Sequence, residues 1–535
     1  MPKTFQSTYL PYSETNSFTK IVLDYVKEED DLTAFYSHKV DLEGIKASIA
    51  ERKRFNTNRQ LLTDELHAQY EGINDNDAVK ANIDKLAGAN TFTVCTAHQP
   101  NIFTGHLYFI YKILHTIKLA ENLTEQLPGN NFVPVYFMGS EDADLEELNH
   151  IVIDGKEYKW QTNQSGAVGR MKVDAELTSL IDEISGRLSV EKYGKEIIDV
   201  LKQCFKKDYT IEHATFLFVH HLFKNYGLII LLPDNHAYKK AMHVIFEDDL
   251  FNNRPSEIVN ETSLKLSKKY KVQAHPREIN LFYLKDSIRN RILQVKDKFV
   301  VHETDIVFTK DELKKKLEEY PEYFSPNVIL RGVLQELILP NIAFIGGGGE
   351  LAYWLELKDL FIHYDVPFPL LILRNSFLLV EKKYRHLMQK LNLTSVELFK
   401  GEEVLLNGIV LQQSGHKLNL ESEKLNVASM YDEVKKTVKE VDITLAQHTE
   451  ALQTKALKAL SALEKKIFRA EKRKFEDSKN QLNKILGSLF PKGNLQERTE
   501  NFMLFYAKFG NDFIQELYKS SLTLNQEFCV LEEKQ

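Results

Sequence analysis

Five short apolar runs constrain this chain more than anything else in it. They occupy residues 93–97, 133–138, 227–232, 341–345 and 369–373. Each has the length of a strand and lacks the alternating polar positions of an exposed sheet face, which is the pattern of strands buried on both sides. Helical periodicity follows the first run from about 104 to 121 and the third from about 236 to 250. It brackets the fourth at 326–339 and 350–361, with Pro326 suited to a first helical turn. Strand, loop and helix in alternation predict an α/β fold with a doubly wound, Rossmann-like parallel sheet.

Two stretches interrupt that alternation. Residues 151–226 read as short strands (151–160, 169–173) and helices (178–206, 212–225). Residues 251–325 read as a helix near 256–270, strands at 281–283, 292–295 and 306–309, and a helix at 310–319. Both are predicted as insertions into one core at 93–400. Residues 1–92 read as a helical lead-in packed on that core. Residues 416–486 contain neither Gly nor Pro, and Leu445, Leu452, Ala456, Leu460, Leu463, Ile467 and Ala470 recur at helical spacing. The stretch 401–490 is therefore predicted as a linker and a long helix in a coiled coil or helical hairpin. The tail, 491–535, reads as one or two helices docking back on the core.

Composition narrows the function. A net charge of −7 disfavours general binding to nucleic acid or anionic membranes. Cys95, Cys204 and Cys529 are too few and too scattered for a disulfide framework, and Cys95 on the first strand reads as a buried, inert thiol. No apolar stretch approaches the length of a membrane span. A cytoplasmic protein is expected.

The polar residues cluster at the carboxyl ends of the runs, where open α/β sheets bind ligands. After the first run come Thr96, His98, Gln99, Asn101, Thr104, Gly105 and His106. Thr104 is placed to cap the next helix, whose positive end would favour an anion and keep His106 neutral. The stretch Phe103-Thr104-Gly105-His106 resembles the second half of the HxGH motif of ATP-using nucleotidyltransferases, with Phe103 where the first histidine would stand. Gly346, Gly347, Gly348, Gly349 and Glu350 form a glycine loop opening another helix, again suited to close approach of an anion. It lacks the Lys-Ser/Thr of a Walker A loop. Glu141, Asp142 and Asp144 with Asn149 and His150 could hold Mg²⁺ or a substrate amine, or cap a helix. Arg331, Arg374 and Lys112 are candidate anion partners, and Tyr353 and Trp354 follow the glycine loop.

Taken in order, several of these pieces resemble one family, the cysteine ligases of bacillithiol biosynthesis (BshC). They are Gln99 with Thr104-Gly105-x-Leu107-Tyr108-x-x-Tyr111-Lys112; Glu141-Asp142-x-Asp144 with Glu147, Asn149 and His150; and Ser325-Pro-Asn327-Val-x-x-Arg331 with Gln335-Glu336. Phe344-x-Gly346-Gly347-x-Gly349-Glu350-x-Ala352-Tyr353-Trp354, Arg374-x-Ser376, Leu463-Glu-Lys-Lys-x-x-Arg-Ala470 and Asn494-Leu-Gln-Glu-Arg498 complete the set. The chain departs from the family pattern at His98, Pro100, Asn101 and His106, so the two histidines are not carried over as family residues.

The resemblance implies a Rossmann-like core with two connecting-peptide insertions and a coiled coil that mediates homodimerisation. It implies a ligase joining the carboxyl group of L-cysteine to the amine of glucosaminyl-malate. Amide formation from a free carboxylate is uphill in water, so ATP, with Mg²⁺, is the expected co-substrate. In that scheme His98, Gln99, Thr104 and His106 hold phosphate or the activated carboxylate, and Asp142 or Glu141 orients the amine or a Mg²⁺. The glycine loop and Arg374 hold a substrate carboxylate. Two other readings stay open: a nucleotidyltransferase that adenylates another small acid, and a non-catalytic dimeric protein that binds a small molecule.

Overall fold

The computed structural model describes residues 5–534 as two compact units, one of residues up to 379 together with 494–531, the other of 380–493 and the residues from 532. The first unit is built on a parallel sheet of all five apolar runs. Its order is Leu370–Leu373, Asn341–Gly346, Thr91–His98, Asn131–Met138 and Ile229–Leu231. Thr91–His98 pairs with Asn131–Met138 along its whole length, so His98 lies opposite Met138, and Gly346 lies opposite Leu373. The carboxyl ends of the strands therefore share one edge. One face packs Phe92, Val94, Ile342, Ile345 and Ile372 against Leu119 and Leu123 of the helix Tyr108–Gln126 and Ile45 and Ile49 of the helix Leu42–Arg52. Fully burying such side chains stabilises by about 1.5–3 kcal/mol each, which holds the strand ends in register.

Differences from expectation lie outside this sheet. The helix expected over 178–206 is two, Ala175–Leu188 and Gly194–Cys204. A Cβ on Gly194 would lie 1.7 Å from the Leu188 carbonyl oxygen, so the turn between them admits only glycine. Residues 168–170 form a 3-10 turn rather than a strand. The second insertion carries a five-stranded antiparallel sheet that adds Lys298–Val301 and Phe324–Pro326 to the expected strands. Pro326 ends an edge strand, where its missing N–H costs no ladder bond. Asn327 caps the following helix Val328–Ile338 through the Ile329 N–H at 2.8 Å. The expected 350–361 helix is Gly348–Trp354 followed by Lys358–His363.

The tail gives the helices Met503–Phe509 and Asn511–Ser520 and then a strand, Phe528–Glu533, which lies between Phe5–Leu10 and Ser376–Val380. Short apolar runs are ambiguous between helix and strand until their partners are known, and here one partner lies at the other end of the chain.

The second unit is helical. Glu421–Val441 and Leu445–Lys472 form an antiparallel hairpin, fixed by Lys424–Glu464 at 2.7 Å, Lys435–Glu450 at 2.6 Å and a Gln453 bond to the Ala428 carbonyl at 3.0 Å. Leu425, Met430, Val434, Leu452 and Leu463 stay exposed along it. Among the described residues, no helix is long and apolar enough to cross a membrane.

Candidate active site

At the carboxyl edge of the sheet a cleft of about 480 Å³ opens between the loop after Thr91–His98 and the glycine loop. That is the size of a site for one small molecule. His98, Gln99 and Asp142 line it with Gly347, Gly348, Gly349 and Glu350. Arg331, Tyr353 and Arg374 also line it. These predicted residues, drawn from five separate stretches of chain, thus share one cavity.

The rest of the predicted set lies elsewhere. The helix after the first strand begins at Tyr108, not at Thr104. Thr104 is 2 % exposed, and among the described residues its hydroxyl makes no hydrogen bond and caps nothing. Phe103, Thr104 and Gly105 follow one another at φ +50°, +70° and +66°. This strained turn is clamped from the returning segment 494–531. Asn501, fully buried, donates to the carbonyls of Phe103 and Gly105, and the Leu107 N–H donates to the Glu500 carbonyl at 2.8 Å. The His106 ring bonds the Thr499 carbonyl at 3.1 Å. Burial rather than a helix dipole pulls its pKa down. The cap predicted at Thr104 and the anion site at that helix end are therefore corrected: protein backbone occupies the place.

Gly105 packs on Asn101, which is 4 % exposed and reaches the Glu147 carbonyl at 3.4 Å. Gly346 ends its strand. Asn149 is buried, and the His150 ring bonds the Glu146 carbonyl at 3.2 Å. Glu141 turns into the protein to pair with the fully buried Lys239, which also holds Asp234 at 2.8 Å, and Asp234 in turn takes two bonds from Arg170. Asp144 caps the Glu147 N–H at 3.3 Å. The acidic stretch is thus spread over separate partners, and among the described residues no group of three or more His, Cys, Asp or Glu is arranged to hold a metal ion.

The glycine loop is corrected too. Glu350 reaches back to accept from the Gly347 N–H at 2.8 Å and pairs with Lys112 at 2.6 Å. Lys112, a candidate anion partner in the sequence, is fully buried and also donates to the Ala97 carbonyl. The protein's own carboxylate therefore occupies the start of Gly348–Trp354.

Side chains, not helix ends, set the electrostatics of the cleft. Asp142 accepts from Gln99 at 3.2 Å and faces Arg331 at 3.9 Å. Burial acts to raise its pKa, but Arg331, Arg289 and the Gln99 bond outweigh it and hold the carboxyl below its ordinary range. The Arg331 guanidinium packs against Gly139, where a Cβ would come within 3.3 Å of it. Arg374 is tied to the buried Glu497 at 2.7 Å, and Glu497 also accepts from the Phe377 N–H at 3.2 Å. Among the described residues, the buried Nε2 of His98 has no hydrogen-bond partner. Burial first, then Lys112, keep the imidazole neutral well below its usual pKa.

Tyr108, Glu147, Gln273, Val328 and Arg498 complete the lining. No local pattern marks Gln273, which reaches the cleft from the second insertion. Tyr108, Glu147 and Arg498 were visible only as members of the motif set.

The comparisons agree with this architecture. Residues 5–375 match the profile described as bacillithiol biosynthesis BshC, N-terminal Rossmann-like domain, and residues 377–533 match the BshC C-terminal coiled-coil domain. A protein of Christiangramia forsetii named "Putative cysteine ligase BshC" is 39% identical over 529 residues, covering 98% of both chains. Proteins of the same name from Flavobacterium johnsoniae, 37% identical over 98% of this chain and 99% of its own, and Cytophaga hutchinsonii, 36% identical over 97% and 98%, match equally broadly. With both domains matched and relatives aligned end to end, the chain belongs to the BshC family of bacillithiol biosynthesis.

Proposed function

We propose that the protein is a ligase that forms the amide between the carboxyl group of L-cysteine and the amine of glucosaminyl-malate. The observation that carries this reading is the cleft itself: three arginines and three carboxylates around a neutral histidine, at the ligand-binding edge of a Rossmann-like sheet in a chain of this family. Both substrates carry a carboxylate and an amine, and a cavity of mixed charge suits them. Gln99 and Arg331 hold Asp142 ionised, where it can orient an amine. The neutral His98 lines the cleft beside Gln99 without adding a charge to it.

Free carboxylate does not condense with an amine unaided, and ATP is the proposed source of the driving force. The cleft does not fit a triphosphate: the Gly347 N–H and the start of the Tyr108 helix are occupied by protein groups, and acidic side chains share the wall with the arginines. The exposed apolar residues along the hairpin support a homodimer through the second unit.

The test is a ligation assay with L-cysteine, glucosaminyl-malate and ATP, read by mass spectrometry of the product. The amide should form only with all three present. Absence of product from folded protein would refute the proposal, and amide formed without ATP would refute its energetic part.

A further inference from the structure

Six charged side chains line the cleft: Asp142, Glu147, Arg331, Glu350, Arg374 and Arg498. Four already have a partner, in the pairs Arg331–Asp142, Arg374–Glu497 and Lys112–Glu350. Among the described residues, Arg498 and the Glu147 carboxylate make no ion pair and no hydrogen bond. Both are exposed into the cavity. Both also lie close enough to Tyr108 to influence its ionisation, and among the described residues the hydroxyl of Tyr108, which lines the same cavity, makes no hydrogen bond.

Their backbones are firmly held. The Glu147 N–H is capped by Asp144 and its carbonyl accepts from Asn101. The Arg498 N–H bonds the Leu495 carbonyl at 2.9 Å, next to the buried Glu497. Side chains left unpaired on a fixed frame, in a cavity whose other charges are neutralised, are preorganised for a ligand.

We propose that Arg498 and Glu147 are the two anchors of the cleft: Arg498, with the Tyr108 hydroxyl, takes a carboxylate, and Glu147 takes an ammonium group of the same small molecule. One guanidinium left over and one carboxylate left over in the lining of the same cavity match an amino-acid-like zwitterion. They do not match a polyphosphate, which would need several free cations. Arg374 is thereby replaced as the carboxylate anchor, because Glu497 already consumes its charge. The inference deepens the ligase reading and rests on it for the identity of the occupant, L-cysteine or glucosaminyl-malate.

The experiment titrates the full chain with L-cysteine, glucosaminyl-malate, L-malate and ATP separately by calorimetry. It compares the wild type with Arg498→Gln, Arg498→Lys and Glu147→Gln, and measures KM and kcat for ligation. Arg498→Gln should weaken the carboxylate-bearing occupant by about tenfold or more, raising its KM with kcat little changed, and Arg498→Lys should recover part of the loss. Glu147→Gln should weaken whichever amine-bearing substrate occupies the site and leave L-malate, which has no amine, unaffected. Thermal unfolding midpoints should not move, since both side chains are exposed. Wild-type affinities in Arg498→Gln, or a loss confined to ATP, would overturn the anchors. Ligation with an unchanged KM in both variants would sink the anchors and leave the ligase standing. Arg498-dependent binding without amide formation would do the reverse. A wild type that binds none of the four would overturn the anchors as well.

Discussion

Asn501 holds a turn that two of its residues resist. Phe103 and Thr104 sit in the left-handed region without being glycine, and such residues cost of order 1–3 kcal/mol each. Asn501→Ala strips the donors from two carbonyls and the acceptor from the Met503 N–H. It should destabilise by roughly 3 kcal/mol in urea unfolding, with weaker ligand binding as the loop relaxes. Glu497→Gln should cost about 3 kcal/mol, because it leaves the buried Arg374 without its counter-charge; an unchanged unfolding midpoint would refute that role.

His115 gives a pH signature. Its Nε2–H donates to the Thr523 carbonyl at 2.7 Å and its Nδ1 accepts from the Asn375 N–H at 3.2 Å. Protonating Nδ1 would set two donors against each other. Burial is the main cause that lowers its pKa to about 4. The unfolded chain takes up this proton first as pH falls. The stability contributed by neutral His115 is therefore complete above about pH 6.5 and is lost progressively toward about pH 4. Between pH 7.5 and pH 5 the wild type should lose about 2 kcal/mol more than His115→Gln. Parallel stability profiles for the two proteins would contradict this assignment.

At the scale of elements, the Lys112–Glu350 pair joins the Tyr108–Gln126 helix to the glycine loop. Glu350→Gln keeps an acceptor for the Gly347 N–H but leaves the fully buried Lys112 without a counter-charge. The expected cost is about 3 kcal/mol, measured by denaturant unfolding, together with a rise in KM. The parallel strands were legible in the sequence because burial on both faces leaves an uninterrupted apolar run, whatever the strand pairs with. The occupants of the helix ends were not legible. A helix N-terminus looks equally open in sequence whether water, a ligand or Glu350 fills it, and at the first helix the filler comes from residues 499–501. The same blindness hid the Gly194 break, which depends on a contact with the Leu188 carbonyl. Gln99, Asp142 and Arg374 could be placed near the cleft because each follows a strand end, whereas Arg331 was a candidate from the helix before the glycine loop. Which charges were already spent could not be read, since Glu497 and Lys112 become partners only through the tertiary fold.

On the scale of the whole molecule, the hairpin of the second unit presents an apolar stripe to solvent. If it pairs two copies, Leu452→Asp combined with Leu463→Asp should convert a dimer to a monomer in sedimentation, with both units still folded. A wild type that sediments as a monomer would refute that pairing.

The first unit is assembled from two lengths of chain with residues 380–493 of the second unit between them. This imposes an order on biosynthesis. When residue 379 has been made, the sheet and the glycine loop are complete in sequence, but Arg374 still lacks Glu497, the strained turn lacks Asn501, and the cleft lacks Arg498. At about 5–20 residues per second, the ribosome needs roughly 6–23 s to make the interval 380–493. Through that time the nascent unit carries an unmatched charge and an unclamped loop. The segment 494–531 then acts as a latch that closes last, so a truncated or stalled product lacks the groups on which its cleft depends.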